Sequence, residues 1–204
     1  MASVCSELDR QPIPAPVSVK FVIAGGFGVG KTTFVGSVSE ITPLRTEGAM
    51  TEAGAGVDDA RLIAGKESTT VAMDFGRITV EDDLVMYLFG TPGQSRFGFM
   101  WDDIVEGALG ALVLVDTRRL DDCFPAIDYF EERNIPFVIV LNRFDTAHCP
   151  DLDAMRYALN VSDDVPFVDC DARQRESVKV ALLTMLEHLL VRMTRSLPAE
   201  AAIR

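Results

Sequence analysis

A glycine-rich segment near the start of the chain has the residue types and spacing of a phosphate-binding loop. Residues 25–32 read GGFGVGKT and fit the pattern G-x-x-x-x-G-K-[ST], between an apolar β-branched run and a helical stretch. Glycines let backbone N–H groups curl around phosphate oxygens, and the helix start adds positive potential. Lys31 is expected to reach the β- and γ-phosphates, and Thr32 to ligate magnesium. The predicted phosphate-site residues are Gly25, Gly26, Phe27, Gly28, Val29, Gly30, Lys31, Thr32 and Thr33.

Two later fragments follow predicted strands and have residues that could read a purine base. Asn142-Arg143-Phe144-Asp145 resembles the N-K-x-D motif of Ras-like GTPases, which implies that the Asp145 carboxylate accepts hydrogen bonds from guanine. Arg143 replaces the motif lysine, and its planar guanidinium is not equivalent to an ammonium. Asp171-Ala172-Arg173 resembles the S-A-K element, which implies a contact from the Ala172 backbone N–H to guanine O6. Each fragment alone also fits a polar loop at a strand end; their order after the phosphate loop favours base recognition.

The segment from Leu88 to Gln94 reads LFGTPGQ and resembles the D-x-x-G-Q element of the same GTPases. The resemblance implies that Gly93 senses the γ-phosphate and that Gln94 positions the attacking water. The motif aspartate, which holds magnesium through water, is replaced by Gly90. Another carboxylate must therefore take that place if magnesium is to be held.

Asp74 is the candidate replacement carboxylate, because it lies on the neighbouring predicted strand and an unpaired charge inside a strand would be costly. The alternative is an exposed residue on an alternating strand. Thr70 aligns best with the threonine that ligates magnesium in the GTP state, and Thr69 is the second choice. The predicted metal ligands are Thr32, Thr70 and Asp74, and the predicted catalytic residues are Gln94, Lys31 and Thr70.

Strands alternate with helices along the chain in the order expected of a doubly wound parallel sheet. A tight polar link at 81–83 joins two strands into an antiparallel hairpin. The predicted fold is therefore α/β, a Ras-like P-loop NTPase with about six mostly parallel strands, one antiparallel hairpin strand and helices on both faces. The strands are predicted at 19–24, 70–80, 84–89, 111–116, 137–142 and 165–169, and the helices at 31–40, 120–133, 152–159 and from about 175.

Composition and charge limit the functional classes. A length of 204 residues suits one domain, expected at 18–197, with a flexible leader at 1–17 and a short tail at 198–204. The net charge of -12 argues against nucleic acid and against a polybasic membrane anchor. Because the four cysteines form no C-x-x-C pair, reduced thiols are predicted. With no signal, spanning or lipidation segment recognised, a cytoplasmic protein recruited to membranes only through partners is expected.

With these residues assembled, the chain resembles bacterial MglA-like small GTPases, and most closely the actinobacterial conservon GTPases. The resemblance rests on the segments 22–31, 71–78, 88–94 and 116–124. It implies a switch between GTP and GDP with Mg²⁺, in bacterial signalling, with roadblock-type proteins and sensor-kinase-like membrane proteins as partners. The alternatives are a pseudo-GTPase scaffold with little turnover and, less favoured, an ATP-dependent P-loop kinase.

Several further residues bear on turnover and on partner binding. Ser68 and Thr69 occupy the positions where related GTPases carry an arginine in cis, and the ring of Phe27 is expected to crowd the γ-phosphate, so slow intrinsic hydrolysis is predicted. Arg118 and Arg119 are interpreted as solvated loop charges. A stripe on the last helix is predicted to pack into the core: Val178, Leu182, Met185, Leu186, Leu189 and Met193. A cluster after Gln94 fits either a partner surface or packing: Phe97, Phe99, Met100 and Trp101.

Overall fold

The computed structural model describes residues 16–42, 44–49, 70–81, 83–93, 95–144 and 151–196. Within these ranges the strands are β1 (Val17–Ala24), β2 (Leu44–Ala49), β3 (Thr70–Glu81), β4 (Leu84–Gly90), β5 (Gly110–Val115), β6 (Phe137–Asn142) and β7 (Phe167–Cys170). The helices are α1 (Lys31–Val38), α2 (Trp101–Val105), α3 (Phe124–Glu132), α4 (Leu152–Leu159) and α5 (Arg175–Ser196). The predicted leader at 1–17 lies outside the described residues except for its last two.

The seven strands form one sheet in the order β2-β3-β4-β1-β5-β6-β7. Strand β3 pairs antiparallel with both β2 and β4, while the pairs β1–β4, β1–β5, β5–β6 and β6–β7 are parallel. The α/β, Ras-like P-loop class predicted from the sequence is therefore confirmed, including the hairpin strand. Parallel strands end together at one edge of the sheet, and the loops that follow them form the candidate site.

Two predictions about elements need correction. No strand was predicted between residues 40 and 70, but Leu44–Ala49 form the edge strand β2. The helix predicted at 120–133 is divided, because a 3-10 turn at Leu120–Asp122 precedes α3, which has a proline in its first turn. A proline lacks the N–H that would continue a helix through it, so it suits a helix start.

Apolar side chains leave the sheet alternately and form a core on each face. Strand β1 shows this alternation, since Phe21 and Ile23 pack on the face covered by α1 and α5, whereas Val22 and Ala24 face α2, α3 and α4. The stripe predicted on the last helix packs on the first of these cores from Val178 to Leu189. The prediction is wrong for Met193, which is 64% exposed, because the core ends before the last turns of the helix.

Candidate functional site

The phosphate-binding loop connects β1 to α1, and close backbone approaches require its glycines. Gly25 has a φ of 131°, and a Cβ there would lie 2.4 Å from the carbonyl oxygen of Leu114 on β5. Gly30 has a φ of 104°, and a Cβ there would lie 2.6 Å from Nδ2 of Asn142. L side chains rarely adopt such φ values, so both positions demand glycine. The loop is thereby held against the ends of β5 and β6.

Lys31 is the buried cation of this loop. Its Nζ donates hydrogen bonds to the carbonyl oxygens of Gly25 at 2.8 Å and Gly26 at 2.7 Å. Burial lowers the pKa of Lys31 to about 8, and the nearby Asp74 carboxylate opposes this shift. The ammonium therefore lies inside the loop, within reach of any anion that the loop holds.

Asp74 lies beside Thr32, as the replacement hypothesis expects. The Thr32 hydroxyl donates to Oδ2 of Asp74 at 2.6 Å, and Asp74 pairs with Gly90 across the β3–β4 ladder. A Cβ built on Gly90 would lie 3.1 Å from the Cβ of Asp74 and 3.3 Å from its Oδ2. The Asp74 side chain thus occupies space next to Gly90, on the neighbouring strand. The alternative interpretation of Asp74 as an exposed residue is wrong, since it is 8% exposed.

Gly93 follows β4 and lies directly against the phosphate loop. A Cβ at this position would lie 2.6 Å from Lys31 Nζ and 2.9 Å from the Cα of Phe27. The side chain of Phe27 is 65% exposed, so its ring points away from the packed interior of the loop. Gln94 lies outside the described residues, as do Ser68 and Thr69. Thr70 is the first residue of β3, and the position of its side chain is not described.

Asn142, at the end of β6, joins the phosphate loop to the loop after β7. Its Nδ2 donates to the carbonyl oxygen of Val29 at 2.8 Å, and its Oδ1 accepts from the backbone N–H of Ala172 at 3.0 Å. The side chain is 6% exposed, and both bonds are buried. One amide therefore satisfies backbone groups of two separate loops. The Ala172 N–H, which the resemblance assigns to guanine O6, donates to Asn142 in this structure.

The two arginines at the predicted base site are both engaged with carboxylates. Arg143 donates from Nε to both carboxylate oxygens of Asp169 at 2.8 Å. Arg173 donates from Nε to Oδ1 of Asp171 at 2.8 Å, and hydrogen bonds from Arg173 lower the pKa of Asp171 to about 2. Both pairs order the loops that follow β6 and β7. Asp145, the predicted guanine discriminator, lies outside the described residues.

Arg118 and Arg119 are exposed loop charges as predicted, with 46% and 49% of their side-chain surface accessible, but each also forms contacts that the prediction did not include. Arg118 forms a bidentate pair with the buried Asp116, at 2.8 and 2.7 Å, and its guanidinium lies 3.9 Å from the ring centroid of Phe144. Hydrogen bonds from Arg118 lower the pKa of Asp116. Arg119 donates from Nη2 to the carbonyl oxygen of Phe27 at 3.0 Å. Asp116 directly follows β5, and Arg118 and Arg119 come two and three residues later, so only the ion pairs with Asp116 have a local sequence signal.

The cluster that follows Gln94 divides into buried and exposed members. Phe97 and Trp101 are buried, and Trp101 contacts Tyr129 and Phe130 of α3 at centroid distances of 5.1 and 6.1 Å. Phe99 is 61% exposed. Packing therefore explains most of the cluster, and only Phe99 is presented at the surface as a large apolar side chain.

The described ranges also limit what kinds of site are present. Within them, no group of three or more His, Cys, Asp or Glu side chains is arranged to hold a metal ion by itself. Cys123 and Cys170 are free and buried. Among the described helices, none combines the length and the apolar character needed to cross a bilayer. The polar groups that converge at the strand ends are those of the phosphate loop and its neighbours.

The fold and these loops define a Ras-like P-loop protein. The G domain of FeoB from Methanococcus jannaschii superposes with a TM-score of 0.56 over 84% of this chain and 98% of that chain. The G domain of the T. maritima FeoB iron transporter gives 0.57 over 84% and 99%. Each is 16% identical to this chain, so the likeness shows a shared fold.

The family model described as conserved hypothetical ATP binding protein matches residues 23–194, and the chain belongs to that family. An uncharacterized protein of Methanocaldococcus jannaschii is 31% identical over 129 residues, which are 62% of this chain and 71% of that protein. Ras-related protein Rab-1A of Dictyostelium discoideum is 26% identical over 142 residues, 65% of this chain and 70% of the relative. Together these matches support a P-loop GTPase-like protein.

Proposed function

We propose that this protein is a small GTPase that binds GTP and GDP with magnesium and acts as a molecular switch in bacterial signalling. The proposal rests chiefly on two hydrogen bonds of the Asn142 side-chain amide. One connects it to Val29 in the phosphate loop, and the other to Ala172 in the loop after β7. A phosphate site and a base site must be held at a fixed separation to bind one nucleotide. Asn142 provides that connection from within the N-R-x-D segment.

Guanine is the base that this segment favours. Asp145 comes three residues after Asn142, where the N-K-x-D resemblance assigns the carboxylate that accepts from guanine donors. Adenine does not offer two donors in that geometry. The similarity to Ras-related protein Rab-1A agrees with this choice.

The residues near Thr32 suit magnesium. Mg²⁺ prefers oxygen ligands and is held in nucleotide sites by one or two protein groups together with phosphates. The Thr32 hydroxyl and the Asp74 carboxylate, 2.6 Å apart, are such a donor set. Thr32 and Thr70 would bind the ion, and Asp74 would hold its water shell in place of the missing motif aspartate at Gly90. When bound, the ion neutralises phosphate charge.

The chain's own residues then have separate roles in hydrolysis. Lys31 holds the β- and γ-phosphates, Gly93 lets its backbone approach the γ-phosphate, and Gln94 orients the attacking water. Positioning and charge neutralisation supply most of the catalysis of phosphoryl transfer. Ser68 and Thr69 occupy the positions where related GTPases carry a cis arginine, so those two positions supply no cation for the slow intrinsic turnover that we propose.

The conservon resemblance extends this proposal to partners. The proposed GTPase domain spans residues 18–197, the boundaries that the sequence favours. A roadblock-type protein stimulates hydrolysis, and a sensor-kinase-like membrane protein recruits the otherwise cytoplasmic GTPase. Measuring multiple-turnover phosphate release with and without a roadblock partner tests this. Undetectable turnover in both cases, with GTP bound, would favour the pseudo-GTPase alternative.

The base assignment is tested by Asp145→Asn, compared with Asp163→Asn on an exposed turn as control. An amide presents a donor where the carboxylate accepted, so the variant should bind guanine nucleotides more weakly and xanthine nucleotides more tightly. The measurement is the Kd of GDP and of xanthosine diphosphate for each protein. An unchanged preference in Asp145→Asn would place base recognition elsewhere.

Binding of ATP is the second candidate function, because the family description names ATP. The phosphate loop, Lys31 and Thr32 would serve either nucleotide, since none of them contacts the base. The loops after β6 and β7 are what distinguish the candidates. Adenine binding would leave the carboxylate of Asp145 without its two guanine donors, so Asp145→Asn would then alter neither Kd.

A further inference from the structure

The segment that connects β5 to α3, residues 116–123, lies against the phosphate loop. A Cβ at Gly26 would lie 2.5 Å from the Cβ of Asp122, so the two backbones approach closely. Arg119 extends further along the same edge. Its Nη2 donates to the carbonyl oxygen of Phe27 at 3.0 Å and would lie 3.8 Å from a Cβ on Gly28. A guanidinium therefore lies beside two consecutive residues of the phosphate loop.

Arg119 is held by a different arrangement from its neighbour Arg118. Arg118 takes both carboxylate oxygens of Asp116 in short hydrogen bonds. Arg119 has longer ion pairs, from Nε to Asp116 Oδ2 at 3.5 Å and from Nη1 to Asp122 Oδ2 at 3.4 Å. The charge of Asp116 is thus paired mainly with Arg118. The Arg119 side chain remains 49% exposed, and its hydrogen bond at 3.0 Å is to a neutral carbonyl.

Such a guanidinium is suited to phosphate. Arginine forms its strongest hydrogen bonds with anions, so a phosphate oxygen would displace a neutral carbonyl acceptor. Phe27 contacts both groups, because its carbonyl oxygen accepts from Arg119 and its Cα would lie 2.9 Å from a Cβ on Gly93. In the proposed function Gly93 faces the γ-phosphate. Arg119 is therefore connected through one residue, Phe27, to the part of the site that faces the γ-phosphate.

We propose that Arg119 is an arginine supplied in cis that contacts the γ-phosphate and the β–γ bridging oxygen of bound GTP. This inference rests on the proposed GTP binding and adds to it the cation that positions 68 and 69 lack. In hydrolysis, water forms a bond to the γ-phosphorus as the bond from that phosphorus to the β–γ bridging oxygen breaks. The electron pair stays on GDP, and the water protons go to phosphate and solvent. Arg119 neutralises the charge that develops on the bridging oxygen.

The test compares wild type with Arg119→Ala and Arg119→Lys, with Arg133→Ala as the matched control. Arg133 also pairs with a surface carboxylate, Asp102, but it follows the C-terminus of α3. The readouts are the Kd of GDP, the Kd of the non-hydrolysable analogue GppNHp, and the single-turnover rate of GTP hydrolysis. Circular dichroism checks the fold of each variant, and Arg119→Lys retains the charge that pairs with Asp122.

For Arg119→Ala we expect GppNHp affinity to fall by about 10-fold or more while GDP affinity changes by less than about 3-fold. The single-turnover rate should fall by at least about 100-fold, a conservative value for a catalytic arginine. Arg119→Lys should recover part of the affinity and little of the rate, because it lacks the planar fork. Arg133→Ala should match wild type.

An unchanged ratio of GppNHp to GDP affinity in folded Arg119→Ala would overturn this inference and leave the proposed function intact. Equal losses for GDP and GppNHp would also overturn it, because they would indicate a structural role for the loop. Failure of the wild type to bind guanine nucleotides would instead overturn the proposed function, and this inference with it.

Discussion

The phosphate end and the base end of the candidate site depart from the Ras pattern in different ways. At the phosphate end a motif residue has changed, since Gly90 stands where the pattern has aspartate, yet a carboxylate still lies beside Thr32 because Asp74 comes from the neighbouring strand. At the base end the N-K-x-D motif is present with one substitution, because Arg143 replaces its lysine. There the Ala172 N–H donates to Asn142.

This difference shows that a carboxylate can serve a metal site from any position in the sequence, provided that the fold places it beside the other ligands. Two antiparallel strands in register place Asp74 opposite Gly90, so a carboxylate can move across the ladder and still face Thr32. Base recognition allows less freedom, because it needs donors and acceptors in one plane. Substitution of charged side chains therefore tests the phosphate end, and comparison of different nucleotides tests the base end.

Loss of Lys31 should have the largest effect. Lys31→Ala removes the buried cation of the phosphate loop, and we expect nucleotide triphosphate affinity to fall by about 10²- to 10³-fold, as for a broken buried charge pair. Isothermal titration measures this, with circular dichroism to check folding. Lys179→Ala is the control, since Lys179 pairs with Glu176 on the surface. Wild-type affinity in Lys31→Ala would contradict the assignment of residues 25–32 as a phosphate-binding loop.

Removal of Asp74 should have the next largest effect. Asp74→Asn should weaken magnesium-dependent nucleotide affinity by about 10- to 100-fold, the usual effect of losing an outer-shell partner of a metal. Asp83→Asn, in the exposed hairpin turn, should not change it. Nucleotide affinity is titrated against magnesium concentration for each protein. Identical titrations for wild type and Asp74→Asn would show that the metal is held without this carboxylate.

The same site allows a test by exchange of positions. Gly90→Asp alone is crowded, because its Cβ would lie 3.1 Å from the Cβ of Asp74. The double variant Asp74→Gly with Gly90→Asp removes that contact and returns the carboxylate to the motif position. Its magnesium-dependent affinity should approach wild type, whereas Asp74→Gly alone should remain weak. If the double variant bound nucleotide no more tightly than Asp74→Gly at each magnesium concentration, the idea that Asp74 replaces the motif aspartate would be contradicted.

The smallest expected effect is on the pH dependence of binding. Burial lowers the pKa of Lys31 to about 8 in the free protein, so the side chain is increasingly neutral above that pH. Phosphate binding favours the ammonium and must take up a proton there. Affinity should be nearly constant up to about pH 7, about twofold lower at pH 8 and about tenfold lower at pH 9. Titrations between pH 7 and 9 measure this, and a constant affinity across that range would contradict the assignment.

Periodicity and loop motifs were enough to predict six strands, the hairpin and the phosphate loop, because each depends on local sequence. Strand β2 was missed, since LRTEGA has no apolar alternation and is a strand through its pairing with β3. The contact of Asp74 with Thr32 was expected from the unusual carboxylate in an apolar strand. The contact of Arg119 with Phe27 joins residues 92 apart, and no local pattern indicates such a contact.

The most direct test of the central claim is the choice of base by the wild-type protein. We would measure the Kd of GDP and of ADP by displacement of a fluorescent nucleotide in the presence of magnesium. A pocket built on hydrogen bonds to guanine should prefer GDP by at least about 100-fold, below the discrimination that such sites commonly reach. Equal affinities, or tighter binding of ADP, would contradict the account and favour the ATP-binding alternative.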